Sequence, residues 1–213
     1  MNKVGLISPF ILLCSLLISV SSSSGADFRN NDWGDSPAEV MHYEGEVLPW
    51  IGGGPYSNNK IFTEWFAYSK KYLGIESSVF FKFTPEEKLG VGFCVPVEGR
   101  IKPFYLWEAA LSDLFGETEN RDDLLTEDNV ILAHYYYGDA AAVEEGILSG
   151  YFALVRHWET ETTNIWLVAE LYDGKLEVHV NYYSKEYFDF FREEKKRNGP
   201  HAGLRPWFDD DSQ

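Results

Sequence analysis

The stretch TNIWLVAELYDGKLEVHVNYY, Thr163 to Tyr183, decides how the chain is read. Ile165, Leu167, Ala169 and Leu171 fall at every second position, and so do Leu176, Val178, Val180 and Tyr182 beyond Asp173-Gly174. A period of two sends alternate side chains to opposite faces of a strand. An Asp-Gly pair between two such runs is a tight-hairpin signal, because the favoured turn needs positive φ at both central residues. The stretch therefore predicts strands over Thr163–Tyr172 and Lys175–Tyr183. Gly150 to Glu161 supplies a third strand before them, which makes an antiparallel meander.

Upstream, the same organisation recurs. Phe62 to Leu73, Ser78 to Thr84 and Leu89 to Val97 read as three more strands, with turns at Gly74 and at Pro85 to Lys88. A helix precedes each meander. The first starts at Ser36, with Pro37 at the first helical position and Glu39 completing a capping box, and ends near Glu44–Gly45. The second carries Phe104, Trp107, Leu111, Leu114 and Phe115 at helical spacing and stops at Gly116. Residues 117–128 read as a mobile loop, Val130 to Tyr137 as a further strand, and Asp139 as the start of a short helix through the alanines. Ser184 is expected to cap a last helix running to about Asn198. Because an antiparallel meander needs one face covered, the expected fold is α+β, two helix-then-meander halves (27–100 and 101–198) with the helices packed on one sheet face. No low-complexity linker divides residues 27–208, so they form one domain, and 209–213 form a disordered tail.

The N-terminus reads as an export signal. Lys3 is followed by an almost unbroken apolar run from Val4 to Val20, then by Ser21 to Ser24 and Gly25, and no acidic residue occurs before Asp27. Ser24 and Ala26 supply the small residues that a cut after Ala26 requires. The run is shorter than the roughly 20 residues of a spanning helix, so no stable membrane insertion is expected after cleavage. The mature chain would be periplasmic or secreted. It would retain all 34 acidic residues against 17 of the 18 basic ones, a net charge of −17. Such a chain repels phosphate backbones, which argues against nucleic acid as a partner. Of the two cysteines only Cys94 would remain, in an apolar setting, so no intramolecular disulfide forms and the core must hold the fold. At this length about 70% of the unfolded chain's surface can be buried, which suffices.

No catalytic signature stands out. There is no G-x-S-x-G elbow, no H-E-x-x-H helix and no paired-cysteine metal spacing. Gly52-Gly53-Gly54 lacks the Lys-Ser/Thr of a phosphate loop. The candidate site is on the second meander, where His157, Trp166, Glu170 and His179 share the face opposite its apolar row. With Trp166 at its centre, that face suits docking of a protein or a small ligand. Two imidazoles and a carboxylate also suit zinc, which keeps a metal-dependent hydrolase using His157, His179 and nearby carboxylates as the alternative. The leading expectation is a non-catalytic binding module of the cell envelope with no cofactor and no metal, its partner an envelope protein or a small ligand.

Two motifs carry a resemblance. Phe28-Arg29 followed by Trp33-Gly34-x-Ser36-x-x-x-Val40 resembles the start of a group of exported bacterial proteins of unknown function. Trp158-x-Thr160-x-Thr162-x-x-Ile165-x-Leu167, ending in Tyr182-x-Ser184, resembles a later part of the same group. This chain departs in carrying Asp35, where an apolar or small residue is expected. The helix-plus-meander pattern is similar to domains of the beta-lactamase-inhibitor-protein type, which implies protein binding.

Overall fold

The computed structural model describes residues 27–45, 65–120, 123–124, 139–190 and 192–193. The expected signal segment, the Gly52–Gly54 stretch, the strand expected over Val130 to Tyr137 and the 209–213 tail lie outside the described residues. Six long strands form one antiparallel sheet: β1 (Trp65–Tyr72), β2 (Ile75–Phe83), β3 (Leu89–Pro96), β6 (Phe152–Glu159), β7 (Thr163–Tyr172) and β8 (Lys175–Ser184). Their spatial order is β1-β2-β3-β8-β7-β6. Each meander therefore contributes three neighbouring strands, and the two meanders join through their last strands, β3 and β8. The sheet is α+β in class, with helices α1 (Pro37–Glu44), α2 (Lys102–Phe115) and α3 (Ala140–Leu148).

The hairpin at the centre of the sequence reading forms as its residues dictate. Tyr172 pairs Lys175 across the turn, and Asp173 and Gly174 sit at φ 47° and 74°, the left-handed values that a two-residue turn of this hand requires. The capping box at α1 also forms: the Ser36 hydroxyl accepts from the Glu39 backbone N–H, and the Glu39 carboxylate accepts the Ser36 backbone N–H at 2.8 Å. Gly45 closes that helix at φ 70°.

Two expectations are corrected. Part of the segment read as a mobile loop is strand: β4 (Glu119–Asn120) and β5 (Asp123–Leu124) both pair with β6, so an acidic stretch is held by backbone ladders that need no apolar side chains. Ser184 is the last residue of β8, paired with Thr163, and does not cap a helix. Helical turns resume at Phe188.

One sheet face makes the main core. Phe81, Cys94, Leu167, Val178, Val180 and Tyr182 share it with Val40 of α1, Phe104, Trp107 and Leu111 of α2, and Val143 and Ile147 of α3. Three polar side chains of this layer pair within it. The Trp107 indole N–H donates to the Tyr72 carbonyl at 3.1 Å, and the Tyr72 and Tyr182 hydroxyls hydrogen-bond each other. Arg156 of β6 bonds Glu108 of α2 with its guanidinium 5.4 Å from the Phe104 ring centre.

The N-terminal motif is fastened into this core by an ion pair and a close approach. Glu44, whose side chain is fully buried, takes the Arg29 guanidinium in a two-point contact (Nε–Oε1 3.0 Å, Nη2–Oε2 3.0 Å) and accepts from Asn31 Nδ2 at 2.9 Å. Phe28 lies across Gly92, where a Cβ would come within 2.0 Å of its ring, so β3 needs glycine there to admit the aromatic.

Candidate functional site

The expected site residues all lie on the sheet's second face, on β6, β7 and β8, and the strand register decides what they do. His157 is opposite Trp166 and Trp166 opposite Asn181. Asn181 faces Phe93, and Phe93 faces Phe80. These five residues form one cross-strand row over five strands. The rings stack at both ends: His157 on Trp166, centroids 4.1 Å apart at 26°, and Phe80 on Phe93, 4.3 Å apart at 3°. Cross-strand aromatic pairs of this kind stabilise a sheet directly.

His179 belongs to a different row, opposite Val168, and Glu170 to a third, opposite Glu177. The register thus brings His157 and Trp166 together and leaves His179 and Glu170 in separate rows, with the Trp166 and Val168 side chains on the strand between the two histidines. The His179 ring nitrogen Nδ1 is 3.6 Å from Glu177, and His157 Nε2 is 3.4 Å from the Asn164 side-chain oxygen. Among the described residues no group of three or more His, Cys, Asp or Glu is placed to hold a metal ion.

The second face is also drier than its polar sequence implies. Trp166, Glu170, His157 and His179 are 5%, 3%, 8% and 8% exposed. Val91, Val155, Trp166, Val168 and Tyr183 form a second apolar cluster, with Phe93, Tyr187, Phe188 and Phe190 packed against it. The segment after β8 lies on this face: Phe188 meets Tyr183 edge-on at 5.9 Å, and Lys185 is anchored through its backbone N–H to the Thr162 carbonyl at 2.8 Å. What stays accessible is the other end of the row, where Phe80 and Phe93 are half-buried beside half-buried Ser78 and Val95. Sequence reasoning missed these two residues because it sought the binding face on the second meander alone. The available signal was Glu76, Ser78, Phe80 and Lys82, a polar alternation carrying one aromatic.

The two motifs of the resemblance meet in space. The Trp33 indole N–H donates to Thr163 Oγ1 at 2.8 Å, the Thr162 hydroxyl bonds the Asp27 carboxylate, and the Phe28 ring packs 5.0 Å from Tyr182. Asp35, the departure from the motif, accepts the Asp32 backbone N–H on its carboxylate at 2.9 Å, while its carbonyl takes the Leu89 N–H at 2.8 Å and holds the start of β3. Cys94 is fully buried, and burial pushes its thiol well above the ordinary range, the reverse of what a nucleophilic cysteine needs.

Fold and site together define an α+β protein built on one antiparallel sheet with an aromatic row across its second face. No protein-family model, no curated protein and no solved structure matches the chain. Among the described residues no helix is long and apolar enough to cross a membrane.

Proposed function

We propose that the chain is exported and acts by binding another protein of the cell envelope or its surroundings, without catalysis, through the β2–β3 end of the sheet's second face. The observation that carries this is the parallel stack of Phe80 on Phe93, half-buried and flanked by Ser78 and exposed Glu76. A rigid aromatic pair with a polar rim offers large contact area at little entropic cost, which is the composition of docking surfaces. The groups that could do chemistry are taken up in packing: His157 stacks on Trp166, and the Cys94 thiol is held protonated. Export rests on the Val4 to Val20 run and the small residues before Asp27.

The test is site-specific photocrosslinking in the source cells. A photoreactive phenylalanine at position 80 should give one discrete adduct in the exported fraction, on protein whose N-terminus is Asp27, and none when placed at exposed Ala38 on α1. Equal labelling at both positions, or none at position 80, would sink the reading.

A further inference from the structure

The seam between the two meanders opens at one end, and a proline opens it. Because Tyr172 and Lys175 flank a two-residue turn, they form a hydrogen-bonded pair. Along β8, backbone groups then alternate in direction: Lys175, Glu177 and His179 point to β7, and Leu176, Val178 and Val180 point to β3. The β3–β8 register ends at Cys94 opposite Val180. The next hydrogen-bonded pair would join residue 96 to Val178. Residue 96 is Pro96, which has no N–H to give, so the Val178 carbonyl loses its ladder donor. Below that point β3 follows β2, with Pro96 opposite Ser77, while β8 follows β7. Between them lies a slot of about 320 Å³ whose lining runs from Val95 and Gly99 on the β3 side to Lys175 and Val178 on the β8 side. Its walls are the buried Pro96, Leu176 and Val178, and Tyr172 at its mouth is 38% exposed.

We propose that this slot receives an arginine side chain of the partner protein; the inference rests on the binding function proposed above and names its anchor. The slot is near the lower bound of ligand-pocket volumes, about 300 Å³, which suits one long side chain. Its lining sets three carboxylates, Glu98, Asp173 and Glu177, against one cation, Lys175. Its apolar walls take an aliphatic stem, and the Val178 carbonyl, to which Pro96 cannot donate, can accept an N–H. Tyr172 adds a partly exposed aromatic ring to the lining. A guanidinium meets all of these requirements at once, since it is always charged, donates from a planar fork and stacks on aromatic rings. An ammonium meets the charge but not the stacking. Val95 shares the sheet's second face with Phe93, so an arginine held here lays its neighbouring residues over the Phe80–Phe93 pair.

The probe is a capped Gly-Arg-Gly peptide, with citrulline and lysine versions alongside, titrated into the isolated protein and followed by backbone amide NMR. The arginine peptide should give saturable shifts confined to Val95, Glu98, Gly99, Leu176 and Val178. The citrulline peptide should give none, and the lysine peptide should bind at least threefold more weakly. Glu98→Gln with Glu177→Gln, both isosteric, should weaken the arginine peptide about tenfold while the rest of the spectrum stays unchanged. Absent shifts, shifts that grow without saturating over the whole acidic surface, or equal binding of the citrulline peptide would overturn the proposal. The same double variant, crosslinked at position 80, separates the two readings. An undiminished adduct removes the slot and leaves the binding function standing; saturable arginine binding with no wild-type adduct removes the function and leaves the slot.

Discussion

The two faces of the sheet are both apolar, yet they are closed by different means. The first is sealed by helices, whose Phe104, Trp107, Leu111, Val143 and Ile147 enter one layer with Phe81, Leu167 and Val180. The second is closed by its own cross-strand row and by Tyr187, Phe188 and Phe190 from the segment after β8. The difference teaches that histidine and asparagine at alternate positions do not make a strand face wet. Where an imidazole stacks on an indole, it packs as a flat ring and the layer stays dry. The largest expected effect tests this contrast. Trp107→Ala removes a fully buried ring and its bond to Tyr72 and should cost about 3–5 kcal/mol by urea unfolding. Phe188→Ala, on the half-buried cover of the second face, should cost about 1–2 kcal/mol and shift Trp166 fluorescence to the red. Equal costs would mean that the second face is as deep a core as the first, and the accessible Phe80–Phe93 end would lose its meaning.

The second meander was legible because two local signals agreed: strict alternation over Ile165 to Leu171 and Leu176 to Tyr182, and a turn pair able to hold positive φ. The α1 boundaries were legible for the same reason, since Ser36, Pro37, Glu39 and Gly45 each act within one turn. Register was not, because it is a relation between strands. That is why His157, Glu170 and His179 looked convergent and fall in three rows. The dryness of the second face was half legible in Val155, Trp166, Val168 and Tyr183, but what covers it depends on Phe188 and Phe190, residues assigned to a helix without a destination. Pro96 was visible throughout, and its consequence appears only once β3 is known to lie beside β8.

Alkaline titration sharpens the contrast next. Burial raises the hydroxyls of Tyr72 and Tyr182 on the first face, that of Tyr183 on the second, and the Cys94 thiol. In each case the folded chain holds a proton that the unfolded chain releases sooner. Their stabilisation is therefore complete below the ordinary values, 9.0 for the thiol and 10.0 for the tyrosines, and falls as pH rises beyond them. Urea midpoints should be level from pH 7 to 8.5 and drop steadily above pH 9 to 10. Tyr183→Phe should flatten part of that drop, and the part it removes measures the second face alone. Over the same range a thiol reagent at pH 8 should modify Cys94 no faster than the protein unfolds. Rapid labelling of folded protein would show that the first-face layer opens locally.

The smallest expected effect concerns the tie between the two motifs of the resemblance. Trp33 and Thr163 are 130 residues apart and joined by one hydrogen bond of 2.8 Å, part-buried. Trp33 also packs against the main core, so truncation to alanine would mix lost packing with the lost bond. Trp33→Phe keeps most of the ring and deletes the donor. Thr163→Val keeps the shape and deletes the acceptor, along with the weaker contacts of Thr163 to Thr162 and Asp27. Each single change should cost about 1 kcal/mol, and the double change should cost less than the two together, because the bond is lost only once. Strict additivity would mean that the motifs are neighbours without being coupled through this bond, and that the Thr162–Asp27 hydrogen bond and the packing of Phe28 on Tyr182 hold them together instead.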